Sequence, residues 1–161
     1  MKPLRIFLLT LGLLAVFSSR IHAQSGRPLV VTLDVDGVIM PAMQEYIERG
    51  IRTAEQEDAE ALIIRLDTPG GDLMSTLEII KAIRASRVPV IVFVGPNGAI
   101  AGSAGALITV SGHAAAMAPE TAIGASTPIS GSGEDLTSDE RAKAVNIYIA
   151  AIRPYLEPRG E

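Results

Sequence analysis

Gly98-Ala99-Ile100-Ala101-Gly102-Ser103-Ala104-Gly105 is a run almost stripped of bulky side chains. It leads straight into Ala106-Leu107-Ile108-Thr109-Val110, which reads as a buried helix. Ser103 thereby presents a hydroxyl among small residues at the mouth of a helix. Small neighbours let a ligand backbone come close, and a helix N-terminus favours developing negative charge. A nucleophilic serine is mounted in this way, and so is a serine that only caps a helix.

Working outward, residues 89–94 are apolar throughout and read as a strand feeding this run. Two more β-branched stretches, 29–34 and 61–66, read as buried strands. Helical periodicity covers 41–57, with Met43, Ile47, Ile51 and Ala54 on one face, and 73–86, with Leu73, Leu77, Ile80 and Ile83 in register. A short strand is expected at 114–117. Residues 127–135 are polar and hold Pro128, Gly131 and Gly133, so a mobile loop is expected there. The last helix is expected over 137–155, opened by a capping box of Thr137 and Glu140 and ended by Pro154 and Pro158. Strands that alternate with helices and look apolar on both faces predict an α/β fold with a largely parallel sheet.

The length of 161 residues suits one domain with a real core, built from aliphatic residues, since only 4% of the chain is aromatic. A net charge of −4 without a basic stripe argues against a nucleic-acid partner. Lys2 and Arg5 precede an apolar run over 6–17, and Ile21-His22-Ala23 offers a cleavage site. Residues 1–23 therefore read as a signal peptide, with an N-terminal anchor as the alternative, and 24–161 as an exported domain. The chain has no cysteine, so that domain holds by packing alone. Without the signal, His113 is the only histidine, and Lys81 and Lys143 are the only lysines.

A serine nucleophile needs a base and donors for the oxyanion. His113 follows Ser103 closely with no carboxylate between, and Ser111-Gly112 before it suggests a strand entrance. Lys143 is the better base: it borders the apolar stripe of Ala142, Val145, Ile149 and Ile152, where a sheet pocket would desolvate it. Asp139 and Glu140 lie at helical pairing distance and would instead hold it charged. Lys81 follows Glu78 and reads as surface. Gly70-Gly71, after Pro69, closes the second strand at a βα junction, where open α/β sheets bind ligands. Leu33-Asp34-Val35-Asp36-Gly37-Val38 resembles the first motif of haloacid-dehalogenase-type phosphatases. The magnesium half of that pattern is missing, since Glu134-Asp135 sits in a glycine-rich loop rather than at a strand end.

Three segments in order, Leu66-Asp67-Thr68-Pro69-Gly70-Gly71, then the serine run, then Met117-Ala118-Pro119-Glu120-Thr121-Ala122-Ile123-Gly124-Ala125, resemble the protease domain of the long NfeD-like membrane-associated serine proteases. These are relatives of signal peptide peptidase A and the ClpP class. The resemblance runs from Leu29 onward. It implies a ClpP/crotonase fold, a spiral of ββα units, and a Ser–Lys dyad of Ser103 and Lys143. It places the oxyanion amides at Gly71 and Ala104, with substrate lying as an added strand along Gly70, Asp72 and Leu73. It implies no metal and no cofactor, cleavage of hydrophobic peptide or membrane-protein segments such as those of stomatin-like partners, and a homo-oligomer. An acidic residue and glycine at Asp36-Gly37 belong to this pattern too, which lowers the phosphatase reading further. Family members continue beyond the last helix here, so the domain reads as truncated at its C-terminal end. Membrane association through the N-terminus or that missing region, on the periplasmic or extracytoplasmic side, is expected. Two other classes stay open. A catalytically silent scaffold for membrane-protein assembly would tolerate Ser103→Ala. A crotonase-type acyl-CoA enzyme would use the same amides on a thioester, though export weighs against it.

Overall fold

The computed structural model describes residues 28–124 and 137–156. The signal segment expected over 1–23 and the loop expected over 127–135 lie outside the described residues.

Strand β1 (Val30–Asp36) is followed by helix α1 (Pro41–Gln56), β2 (Ala61–Asp67), α2 (Leu73–Ala85), β3 (Val90–Val94) and β4 (Ile100–Gly102). Helix α3 (Ala104–Ser111), β5 (Ala114–Met117), β6 (Ala122–Gly124) and α4 (Ser138–Leu156) complete the order. Pro41 opens α1, where its missing N–H costs nothing and its fixed φ suits a first turn. Asp72 caps α2, its carboxylate accepting from Ser75 N at 2.7 Å. The expected capping box opens α4: Thr137 N and Oγ1 donate to Glu140 Oε2 at 3.0 and 2.7 Å, and Glu140 N donates to Thr137 Oγ1 at 3.3 Å. Pro154 lies inside the last described turn of α4, within two residues of Leu156, close to where the end is expected.

β1, β2, β3 and β5 form a parallel sheet in the order β1-β2-β3-β5. β4 and β6 pair separately, also in parallel. Isolated parallel bridges join Ile39 to Gly71 and Thr68 to Ala101. These short pairings recur after each sheet strand and before each helix. The chain thus repeats a unit of sheet strand, short second strand or bridge, then helix, which is the ββα spiral.

The core lies on one face of the sheet. Leu33 and Val35 of β1, Leu62, Ile64 and Leu66 of β2, and Val90, Val92 and Val94 of β3 are buried against Ile47, Ile51 and Ala54 of α1, Ile79 and Ile83 of α2, and Ile108 of α3. Gly50 lets α1 sit close, since a Cβ there would collide with the Leu33 side chain. The expectation of strands buried on both faces is corrected. Along β1, Thr32, Asp34 and Asp36 are exposed and alternate with the buried pair. On that outer face Arg65 pairs with its cross-strand neighbour Asp34 at 3.0 Å. Helix α4 packs against α2 and α3, on the core side.

Candidate active site

β4 delivers Ser103 into a backbone conformation that L-residues seldom adopt, with φ 46° and ψ −109°. The turn carries Ser103 out of the strand and into the first turn of α3. Its side chain makes no capping bond to that helix, so the helix-cap reading does not hold. Instead the backbone is pinned: Ser103 N donates to Gly124 O at 3.2 Å, and Ser103 O accepts from Ala106 N at 3.1 Å. Ser103 is half-buried and Ala104, the first residue of α3, is buried. As that first residue, Ala104 has an amide with no acceptor inside the helix.

The Gly70-Gly71 turn lies against this serine. A Cβ on Gly70, whose φ is +118°, would stand 2.7 Å from Ser103 Cβ and 3.3 Å from Ser103 Oγ. Only glycine fits there. Gly71 is equally constrained, because a Cβ would meet the backbone of Ile39. Its bridge to Ile39 uses the flanking groups: Ile39 N donates to Gly70 O and Asp72 N donates to Ile39 O, both at 2.8 Å. In such a parallel pairing the Gly71 N–H faces the opposite edge. Gly71 and Asp72 are exposed, and Leu73 is half-buried.

Asp67 and Thr68 join the turn to the serine strand. Ile100 N donates to Asp67 Oδ1 at 2.9 Å. Thr68 N donates to Ile100 O at 2.7 Å, and Gly102 N donates to Thr68 O at 2.9 Å. The Asp72 carboxyl is held below the ordinary aspartate range, chiefly by the Ser75 N–H it accepts and then by the Ser75 hydroxyl.

The structure therefore brings Ser103, Ala104, Gly70 and Gly71 together. Lys143 stands apart from them in one respect. It is exposed on α4, and among the described residues it makes no hydrogen bond or ion pair, either with Ser103 or with its helical neighbours. Glu140 is committed to Thr137 instead. The sheet pocket expected to desolvate Lys143 is not formed around it. His113 lies at the start of β5, where its Nδ1 accepts from Val90 N at 3.1 Å and its own N–H donates to Val90 O at 2.8 Å. That is the entrance end of β3, the opposite end of the sheet from the serine turn. Lys81 pairs with Glu78 at 3.4 Å on the surface, as expected. Among the described residues no group of His, Asp and Glu side chains could hold a metal ion.

Residues 29–157 match the NfeD1b N-terminal domain. The chain belongs to that family. The membrane-bound protease PH1510 of Pyrococcus horikoshii is 38% identical over 158 residues, covering 98% of this chain and 35% of its own length. Membrane protein NfeD1b of Bacillus subtilis is 26% identical over 161 residues, covering 98% of this chain and 36% of its own length. The chain thus spans about a third of the length of these relatives.

Solved structures resemble the chain as well. A serine-to-alanine mutant of the 1510-N membrane-bound stomatin-specific protease superposes with a TM-score of 0.70 at 36% identity, covering 80% of this chain and 64% of that one. A lysine-to-alanine mutant of the same protease, in complex with a substrate peptide, gives 0.72 at 38% identity, covering 81% and 60%. The ClpP-like α/β fold is the one these structures share with the chain.

Two features of the site escaped the sequence reading. Ile39 and Thr68 act through backbone pairing with Gly70, Gly71 and the serine strand. In the sequence Thr68 shows only as a member of the segment 66–71, and nothing in its type assigns it that pairing.

Proposed function

We propose that this chain is the proteolytic domain of a membrane-associated serine endopeptidase. The observation that carries the reading is the mounting of Ser103. Its hydroxyl is strained out of a strand, unused as a helix cap, and flanked by the Gly70-Gly71 turn and the first amide of α3. The relatives named as proteases support it. The serine and lysine altered in the two solved mutants are separated by nearly the same length of chain as Ser103 and Lys143.

In this reading Lys143 Nζ takes the Ser103 proton as Oγ attacks a peptide carbonyl. The N–H groups of Gly71 and Ala104 hold the tetrahedral oxyanion, the amine leaves, and water releases the acyl group. Lys143 carries a flexible four-carbon stem and makes no ion pair among the described residues, and in this reading its amine turns toward the serine. No metal or cofactor enters any of these steps.

Apolar substrates fit the surroundings. Val38 and Met40 flank Ile39, the partner of Gly71, and are 53% and 51% exposed, while Met74 in the first turn of α2 is 64% exposed. In this reading a peptide adds as a strand beside Gly71-Asp72-Leu73, on the edge away from Ile39, with Met74 next in the chain. The relatives named stomatin-specific point to a stomatin-like membrane protein as the partner. No helix among the described residues is long and apolar enough to cross a membrane. We place attachment in residues 1–23 or in regions the longer relatives possess, with the domain on the extracytoplasmic side and self-associated.

The test is cleavage of an apolar fluorogenic peptide by purified variants whose folding is checked by circular dichroism. Ser103→Ala is expected to lose at least about a thousandfold in kcat. Lys143→Ala and Lys143→Arg should fall comparably, the latter because it keeps charge and loses a usable base. Parental cleavage in Lys143→Arg would remove the lysine from the mechanism, and parental cleavage in Ser103→Ala would return the chain to the scaffold reading.

A further inference from the structure

Thr68 is fully buried and bonds both to β4, which leads into Ser103, and to Gly70. Its backbone pairs with β4 on both sides, through Ile100 O and Gly102 N. Its methyl group occupies the space beside Gly105 in the first turn of α3, where a Cβ would lie 2.6 Å from Thr68 Cγ2. Its hydroxyl is spent on one residue. Gly70 N donates to Thr68 Oγ1 at 3.1 Å, and Thr68 Oγ1 donates to Gly70 O at 3.3 Å.

That last bond fixes a direction. The Gly70 carbonyl and the Gly71 N–H belong to one planar trans peptide, so they point in opposite senses. Thr68 Oγ1 and Ile39 N both hold the carbonyl. With glycine on both sides the peptide would otherwise rotate cheaply, since Gly70 and Gly71 carry no Cβ to resist it. We propose that Thr68 is a positioning residue for proteolysis: its hydroxyl locks the Gly70-Gly71 peptide so that the Gly71 N–H stays aimed at the oxyanion formed by Ser103. The inference rests on the serine-protease reading and adds a residue to it.

The experiment compares Thr68→Val and Thr68→Ser with the parent chain. Thr68→Val keeps the methyl and the shape and removes both bonds to Gly70. It should lower kcat by about tenfold or more, a fraction of what loss of an oxyanion donor costs, with KM little changed. Affinity for a peptide aldehyde, whose adduct oxygen occupies the oxyanion position, should fall by the same factor. Thr68→Ser keeps the hydroxyl and gives up the methyl, and should restore both within about threefold. A folded Thr68→Val with parental kcat and aldehyde affinity overturns the inference. If Thr68→Val does not fold, Thr68→Ala against Thr68→Ser decides: kcat and aldehyde affinity kept in Thr68→Ser and about tenfold lower in Thr68→Ala support the inference, and equal values in the two overturn it. Cleavage that survives Ser103→Ala removes the protease reading and this role together. Cleavage lost in Ser103→Ala but untouched in Thr68→Val removes only the role of Thr68.

Discussion

Gly70 and Ser103 share one crowded spot, with 2.7 Å between a Cβ built on the glycine and the Cβ of the serine. Gly70→Ala would add a side chain at φ +118° and push into the proposed nucleophile. Strain of this kind costs about 1–3 kcal/mol. Gly37 is the natural control: its φ is +108°, and a Cβ there meets nothing within 4 Å. Gly37→Ala should lose stability of a similar size and keep cleavage, whereas Gly70→Ala should lose both. Thermal melts and peptide turnover of the two variants check this, and parental turnover in Gly70→Ala would contradict it. At this scale the sequence was readable where composition was unusual. A run of small residues marks Ser103, and Gly70-Gly71 marks a turn. Nothing in the letters demanded a positive φ at Ser103, because that conformation is imposed by Gly124 and by the start of α3. Nor could they assign the Thr68 hydroxyl, whose partner is set by pairing in three dimensions.

Among the elements, α2 ties its own stability to the site, because its cap is Asp72, one residue beyond Gly71. Asp72→Ala is expected to cost about 0.5–2 kcal/mol at neutral pH through loss of the bond from Ser75 N. The carboxyl is held below its ordinary value in the folded chain, chiefly by that bond. Its stabilisation is therefore complete above the unfolded value near 3.9, and is lost as pH falls through the lower folded value. Urea melts of parent and Asp72→Ala should differ at pH 7 and converge at the acid extreme, and a gap that stays constant across that range would refute the assignment. The long elements were legible within a residue or two, because periodicity over several residues is hard to mimic. β4 and β6 were not. Three residues each, drawn largely from Ala, Gly and Ile, leave no alternation to detect. Their pairing exists only because the spiral brings 100–102 and 122–124 side by side. The expectation of strands buried on both faces failed for a related reason. It weighed the apolar content of β1 and passed over Thr32, Asp34 and Asp36, whose alternation turns one face to water.

For the molecule as a whole, one sheet with helices on one face carries the serine site at the carboxyl ends of its strands, beside the second, smaller pairing of β4 and β6. A cysteine-free chain depends for this on the aliphatic layer between sheet and helices. The order of strands and helices was legible because each strand is followed by its helix with few residues between. The relation of Lys143 to Ser103 was not, since forty residues of separation say nothing of distance once α4 has docked on α2 and α3. Proteolysis by this chain requires Ser103 Oγ as the nucleophile. The most direct measurement is intact-mass and peptide-mapping analysis of the full chain after treatment with a fluorophosphonate. A single adduct on Ser103, absent in Ser103→Ala and formed far more slowly in Lys143→Ala, is the predicted result. Cleavage activity that persists once Ser103 is fully modified, or an inactivating adduct mapped to another side chain, would contradict it.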